Sequence, residues 1–203
     1  MTPYQAHLFK DKKFSKLIQE QEALTIKPKK KVYLHLCGSI MSQQLSTKVA
    51  DVIWKRFLAL FPENEPTPEE IVNMPFATLR AIGLSNAKVG YIQNVARFAM
   101  DQGMEWRQMK KMSDEEVTNH LIQIKGVGRW TTEMLLMFAL GREDVFAVDD
   151  LGIQNAMIKL YKLDSADKKS LKEKMLTISK KWSPYRTYAC MHLWRWKDNS
   201  PEK

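Results

Sequence analysis

The stretch "LIQIKGVGRWTTEM", residues 121–134, sets a glycine on either side of Val127 where one apolar helical pattern stops and another begins. A chain that leaves one helix and enters the next within a few residues needs a left-handed backbone position, which glycine adopts without steric cost. A second glycine lets another backbone approach closely, so Gly126 and Gly128 predict a tight hairpin between packed helices. Lys125 and Arg129 flank the turn, and the amides that open the second helix point outward at the positive end of its dipole. That combination suits a phosphate oxygen. A plain structural turn needs the same glycines, so the hairpin alone leaves both readings open.

Outward from this stretch, apolar residues recur at intervals of three and four, as in Val49, Ile53, Phe57 and Leu60, or Val89, Ile92, Val95 and Ala99. No run alternates convincingly as a strand, and only "VYLHLC" (32–37) is ambiguous. The fold class is therefore all-α, with about nine helices expected. Thr67-Pro68-Glu69-Glu70 and Ser113-Asp114-Glu115-Glu116 have the spacing of capping boxes, and Ser183-Pro184 reads as an N-cap followed by proline at the first helical position. "LRAIGLSNAKVGYI" (79–92) faintly echoes the opening stretch as helix end, glycine turn and new helix.

Lys and Arg outnumber Asp and Glu by 32 to 23 in 203 residues, a formal charge of +9. Such a surface attracts polyanions, nucleic acid above all. Cys37 and Cys190 are too few for a four-thiolate cluster, and both are expected as thiols in a reducing interior. His7, His35, His120 and His192 are scattered without ligand spacing, so no metal held by side chains and no cofactor is expected. The N-terminus has no apolar segment of signal-peptide length and no run reaches membrane-spanning length, which points to an intracellular protein without a membrane partner. The basic run Lys27-Pro28-Lys29-Lys30-Lys31 divides an N-terminal helix with its linker (1–31), expected to pack on the body, from a helical domain (32–203).

Beyond Trp130 comes Val148-Asp149-Asp150, at the start of a helix from Leu151 to about Tyr161. An acidic residue there is ordinarily a cap, worth about 1 kcal/mol. Two in succession predict that one caps while the other faces elsewhere.

Ile124-Lys125-Gly126-Val127-Gly128-Arg129-Trp130-Thr131, followed by Val145-Phe146-Ala147-Val148-Asp149-Asp150 and Ile153, resembles the hairpin, loop and catalytic aspartate of the helix-hairpin-helix DNA glycosylase superfamily. The AlkA-like 3-methyladenine glycosylases are the branch it is most similar to. "SIMSQQLSTKVA" (39–50), "IGLSNAKVGYI" (82–92) and "WSPYRTYACMHLW" (182–194) resemble further segments in the same order, so the likeness covers roughly residues 32–197. It implies a two-lobed helical fold with the cleft between the lobes and the helix-hairpin-helix at about 114–140. It also implies the compact form without an N-terminal β domain.

The resemblance makes Asp150 the catalytic carboxylate and leaves Asp149 to cap. Breaking an N-glycosidic bond puts positive charge on the deoxyribose, which a carboxylate stabilises. It places Trp130, Trp194 and Met134 around the flipped base, indole faces suiting a cationic alkylated purine. Trp182, Tyr185 and Tyr188 are left to the core or the pocket rim. Lys125, Gly126, Val127, Gly128, Arg129 and Thr131 become the DNA-contact hairpin, and Gln44, with Gln43 beside it, the residue that fills the gap in the base stack. The carbonyls of Ile122, Ile124 and Val127 are implied as a monovalent-cation site. Trp130 stands where lyase-competent relatives carry a Schiff-base lysine, so the implied enzyme is monofunctional, acting on duplex DNA with no obligate protein partner. Two alternatives stay open at this point: a non-catalytic DNA-binding protein, which needs only the hairpin and the charge, and a glycosylase for deaminated or oxidised bases.

Overall fold

A computed structural model describes residues 1–199, and these divide into two units, one formed by residues 1–27 with 141–199 and the other by 28–140. In chain order the helices are α1 (Pro3–Leu8), α2 (Lys12–Gln19), α3 (Val32–Ser42), α4 (Thr47–Leu58), α5 (Pro68–Asn73), α6 (Phe76–Ala81) and α7 (Asn86–Asp101). There follow α8 (Trp106–Met109), α9 (Asp114–Leu121), α10 (Arg129–Phe138), α11 (Leu151–Tyr161), α12 (Lys168–Ser179) and α13 (Arg186–Asn199). No strand occurs among the described residues, as the periodicity predicts. Thirteen helices are described where about nine are expected, and four of them, α1, α5, α6 and α8, have six residues or fewer, too short for a 3.6-residue period to register.

In the unit of residues 28–140, α7 packs against α3, α5 and α6, and α3 also packs against α4 and α10. The ambiguous "VYLHLC" is helical. Val32, Leu36, Cys37, Ile40 and Met41 form one buried stripe of α3, so burial against neighbours decides a sequence whose strand propensity is no weaker. Both expected capping boxes form: Thr67 and Glu70 exchange bonds of 3.2 and 2.8 Å, Ser113 and Glu116 bonds of 3.2 and 2.6 Å. The faint echo between the two hairpins is a real backbone likeness. Gly83 has φ +108° and lies two residues before the N-cap Ser85 of α7, and Gly126 has φ +104° and lies two residues before the N-cap Gly128 of α10.

The other unit joins the N-terminal helices to the C-terminal third of the chain. Tyr4 of α1 stacks on Tyr188 of α13 with ring centroids 4.0 Å apart and planes within 4°. Asp11 ties the segment down: Oδ1 caps α2 through the amides of Lys13 and Phe14, while Oδ2 accepts from the Tyr161 hydroxyl at 2.8 Å and the Trp182 indole at 3.4 Å. Trp182 is fully buried, as are Cys190 of this unit and Cys37 of the other.

The expected helix start at Ser183-Pro184 is corrected, since α13 begins at Arg186. The Ser183 hydroxyl is drawn instead to Asp144, donating to Oδ2 at 2.8 Å, and the Arg186 guanidinium bonds both carboxylate oxygens at 2.7 and 3.0 Å. Partial burial opposes the charge of Asp144, yet Arg186 and Ser183 together hold its carboxyl below the usual carboxylate range. Asp144→Asn should cost about 1–2 kcal/mol at neutral pH, allowing for the third of each side chain left in water. A depressed folded-state value stabilises above the ordinary carboxylate range and is lost as pH falls through it. Urea titrations should therefore show a constant deficit between about pH 5 and 8 that closes in acid as the native carboxylate protonates.

Candidate active site

Two local constructions carry the chemistry, one in each unit. In the unit of residues 28–140, α9 ends at Leu121 with Ile122 in a right-handed cap, and the chain turns through Ile124, whose carbonyl accepts the Val127 amide at 2.9 Å. Gly126 meets both demands that sequence reading divides between two glycines. Its φ is +104°, and a Cβ there would lie 2.2 Å from Cγ of Tyr91 on α7. Gly128 is different, for its φ of −106° suits any residue and a Cβ would meet nothing within 4 Å. As N-cap of α10 it has no side chain to bond the first-turn amides, whereas Ser85 at the equivalent point of the earlier hairpin accepts from the Lys88 amide. The space over Gly128 and the uncapped helix start are therefore open, with exposed Lys125 and Arg129 on either side. Arg129 leans on Glu133 one turn on, at 3.4 Å.

Thr131 and Val127 are buried, so within this stretch only their backbones can belong to the exposed face. The Thr131 hydroxyl accepts from the Gln43 amide at 3.1 Å. The glutamine pair is thereby split: Gln43 is tethered to α10, while Gln44 sits in a left-handed conformation with φ +58° and is exposed, with the partly exposed Leu45 after it. Trp130 and Met134, one turn apart on α10, lie on the same side of that helix, Met134 buried and Trp130 half-buried.

In the other unit Asp150 is the N-cap of α11, its Oδ1 accepting from the Ile153 amide at 2.8 Å. The assignment of the cap to Asp149 is corrected. The turn closed by the Asp150 amide on the Ala147 carbonyl sets the phase one residue later, and Asp149 faces outward to Lys172 at 2.7 Å. The same Oδ1 of Asp150 accepts from Nε1 of Trp194 at 2.8 Å. Trp194 is thus placed by its polar edge on the carboxylate, a relation invisible across the intervening sequence. Gly152 is also missed by sequence reading; a Cβ there would lie 3.0 Å from that oxygen and 3.1 Å from Cδ1 of Trp194. A glycine in the first turn of a helix is the one signal that marks it, because it costs about 1 kcal/mol against alanine.

Among the described residues no three His, Cys, Asp or Glu side chains group to hold a metal ion, and no helix is long and apolar enough to cross a membrane. Residues 37–184, from α3 to the turn before α13, match the profile of the HhH-GPD superfamily base excision DNA repair proteins. The chain belongs to that superfamily. Within it, the chain is 37% identical over 186 residues to DNA-3-methyladenine glycosylase 1 of Schizosaccharomyces pombe, covering 91% of this chain and 80% of the relative. It is 34% identical over 190 residues to the alkylbase DNA glycosidase-like protein mag2 of the same yeast, covering 91% and 88%. Among solved structures, the S. pombe 3-methyladenine DNA glycosylase in complex with abasic DNA superposes with a TM-score of 0.89 at 33% identity over the whole of both chains. The α9–α10 hairpin lies within the matched residues.

The two glycines of that hairpin should separate cleanly on substitution. Gly126→Ala should cost several kcal/mol, on the order of 3 or more, because ring and backbone both oppose a Cβ. Gly128→Ala should alter stability by less than about 1 kcal/mol. Thermal melts would show the contrast, and the Gly128 variant should still lose affinity for duplex DNA at fixed salt, as its methyl group fills the space over the helix start.

Proposed function

We propose that this chain is a monofunctional DNA glycosylase that flips alkylated purines, 3-methyladenine and 7-methylguanine, out of duplex DNA and hydrolyses their N-glycosidic bond. The observation that carries the reading is the Asp150 carboxylate, fixed by two N–H donors at the head of α11. The positive end of the helix dipole and the two donors favour a negative charge there, as an oxocarbenium-like deoxyribose requires. A pure phosphate binder gains nothing from a carboxylate brought near DNA, which weighs against the non-catalytic alternative.

In this scheme the bond from C1′ to the purine nitrogen breaks first, and its electron pair leaves with the base. An N3- or N7-alkylated purine already carries positive charge, so it departs neutral and needs no proton from an acid. Water then bonds to C1′ and gives up a proton, with Asp150 holding the developing charge and orienting the attack. Trp130 and Trp194 supply indole surface, and Met134 a polarisable wall, for a cationic base, a stacking gain of about 0.5–2 kcal/mol. Indole and thioether surfaces read a neutral deaminated or oxidised base poorly, because such selectivity needs dedicated hydrogen-bonding groups.

Lys125, Arg129 and the backbone of Gly126 to Thr131 grip the phosphates, and Gln44 with its neighbours occupies the gap left by the flipped base. Such a protein works where the genome is, inside the cell. With Trp130 in place of an amine no Schiff base forms, and the product is an abasic site in an unbroken strand.

Release of free base from methylated duplex DNA tests this. Asp150→Asn should keep DNA affinity within a few-fold and lower single-turnover release by about 100-fold or more, the scale of losing one preorganised charge stabiliser. Binding without any release by the unaltered chain would sink the enzyme reading in favour of a DNA-binding module.

A further inference from the structure

The turn that joins α3 to α4 is held by a residue that its own helix disfavours. Lys88 lies in the first turn of α7, at the positive end of that helix dipole, where a cation is the wrong charge. Its ammonium turns away to the end of α3, donating to the Met41 carbonyl at 2.9 Å and the Gln43 carbonyl at 2.7 Å. These are the orphan acceptors of a helix C-terminus, the negative end of the α3 dipole, and a lysine amine is well suited to them. On the far side of the same residue, the Gln43 side chain bonds Thr131 of α10. Gln43 is therefore pinned through its carbonyl by one helix and its amide by another. The next residue, Gln44, stands exposed at φ +58°, a strained choice for a residue with a side chain.

We propose that Lys88 is a positioning residue for base excision: its ammonium, locked across the carbonyls of Met41 and Gln43, holds the Gln43–Leu45 turn in the shape that presents Gln44 and Leu45 to the base stack. The inference rests on the glycosylase reading given above. The lysine acts through the turn and not on phosphate, since two of its three donors are already spent on protein carbonyls. Without the clamp, the left-handed conformation at Gln44 relaxes and the flipped state of the DNA loses the group that fills the gap.

The test compares Lys88→Met, which keeps the length and loses the donors, with Lys88→Arg, which keeps them. Amide hydrogen exchange is followed at residues 43–46 in the free protein, and single-turnover release is measured on methylated duplex DNA across a salt series. For Lys88→Met the expected result is faster exchange confined to the turn, release slowed about tenfold or more, and an unchanged slope of log affinity against log salt. Lys88→Arg should restore most of the rate. A slope shallower by about one would make Lys88 a phosphate contact and overturn the proposal, as would wild-type rates with unchanged exchange. If Lys88→Met melts well below the unaltered chain, Thr131→Val, which cuts the opposite tether, takes its place: slowed release with a preserved slope supports the pinned turn, and normal release overturns it. Should the unaltered chain release no base, the glycosylase reading falls and the proposal with it, whereas normal release by Lys88→Met removes the proposal alone.

Discussion

One oxygen, Oδ1 of Asp150, receives both the Ile153 amide and the Trp194 indole N–H, and the proposed reaction depends on that double contact. A lone cap would oppose rotation about the bond to its Cβ with a single hydrogen bond. The second donor, from α13, adds to that resistance and ties the carboxylate to two helices. Gly152 keeps the space open, because any larger residue there would press on the oxygen and the indole together. Preorganisation of this kind is what makes a carboxylate effective against a short-lived cation, since no rearrangement is needed as charge develops.

The contact surface follows a different rule, in which absence of side chain matters more than its presence. Gly126 has no Cβ because Tyr91 fills the place, and Gly128 has none although nothing in the described protein does. One glycine is demanded by the fold, and the other is accounted for by the DNA contact proposed above. The adjacent α3–α4 turn has the opposite character: its exposed residues are large, its backbone is held by Lys88 and the Gln43 side chain by Thr131. In the proposed complex a pinned turn beside an open hairpin lets backbone contacts set the register while a side chain probes the stack.

Much of this was legible in the sequence. The Gly126-Val127-Gly128 turn, the boxes at Thr67 and Ser113 and the acidic pair before α11 all rest on interactions spanning a few residues, which local spacing records faithfully. Which aspartate caps was not legible, because the choice turns on a one-residue phase set by the turn from Ala147 to Asp150. Ser183 misled for a related reason, since its hydroxyl had a stronger partner 39 residues away in Asp144. The bond from Trp194 to Asp150 and the clamp from Lys88 to Gln43 join residues 44 and 45 positions apart, beyond any periodicity.

The way Asp11 is bound bears on how the chain is made. Its partners Tyr161 and Trp182, like the Tyr188 that stacks on Tyr4, lie far downstream. On the ribosome the first 27 residues therefore emerge with Tyr4, Leu8, Phe14, Leu17 and Ile18 bare of the surfaces that later bury them. Residues 28–140 form a unit of contiguous chain and can close as soon as Leu140 is out. Synthesis thus imposes an order, a contiguous unit first and a discontinuous one last, and during that interval those apolar side chains must be kept from neighbouring chains.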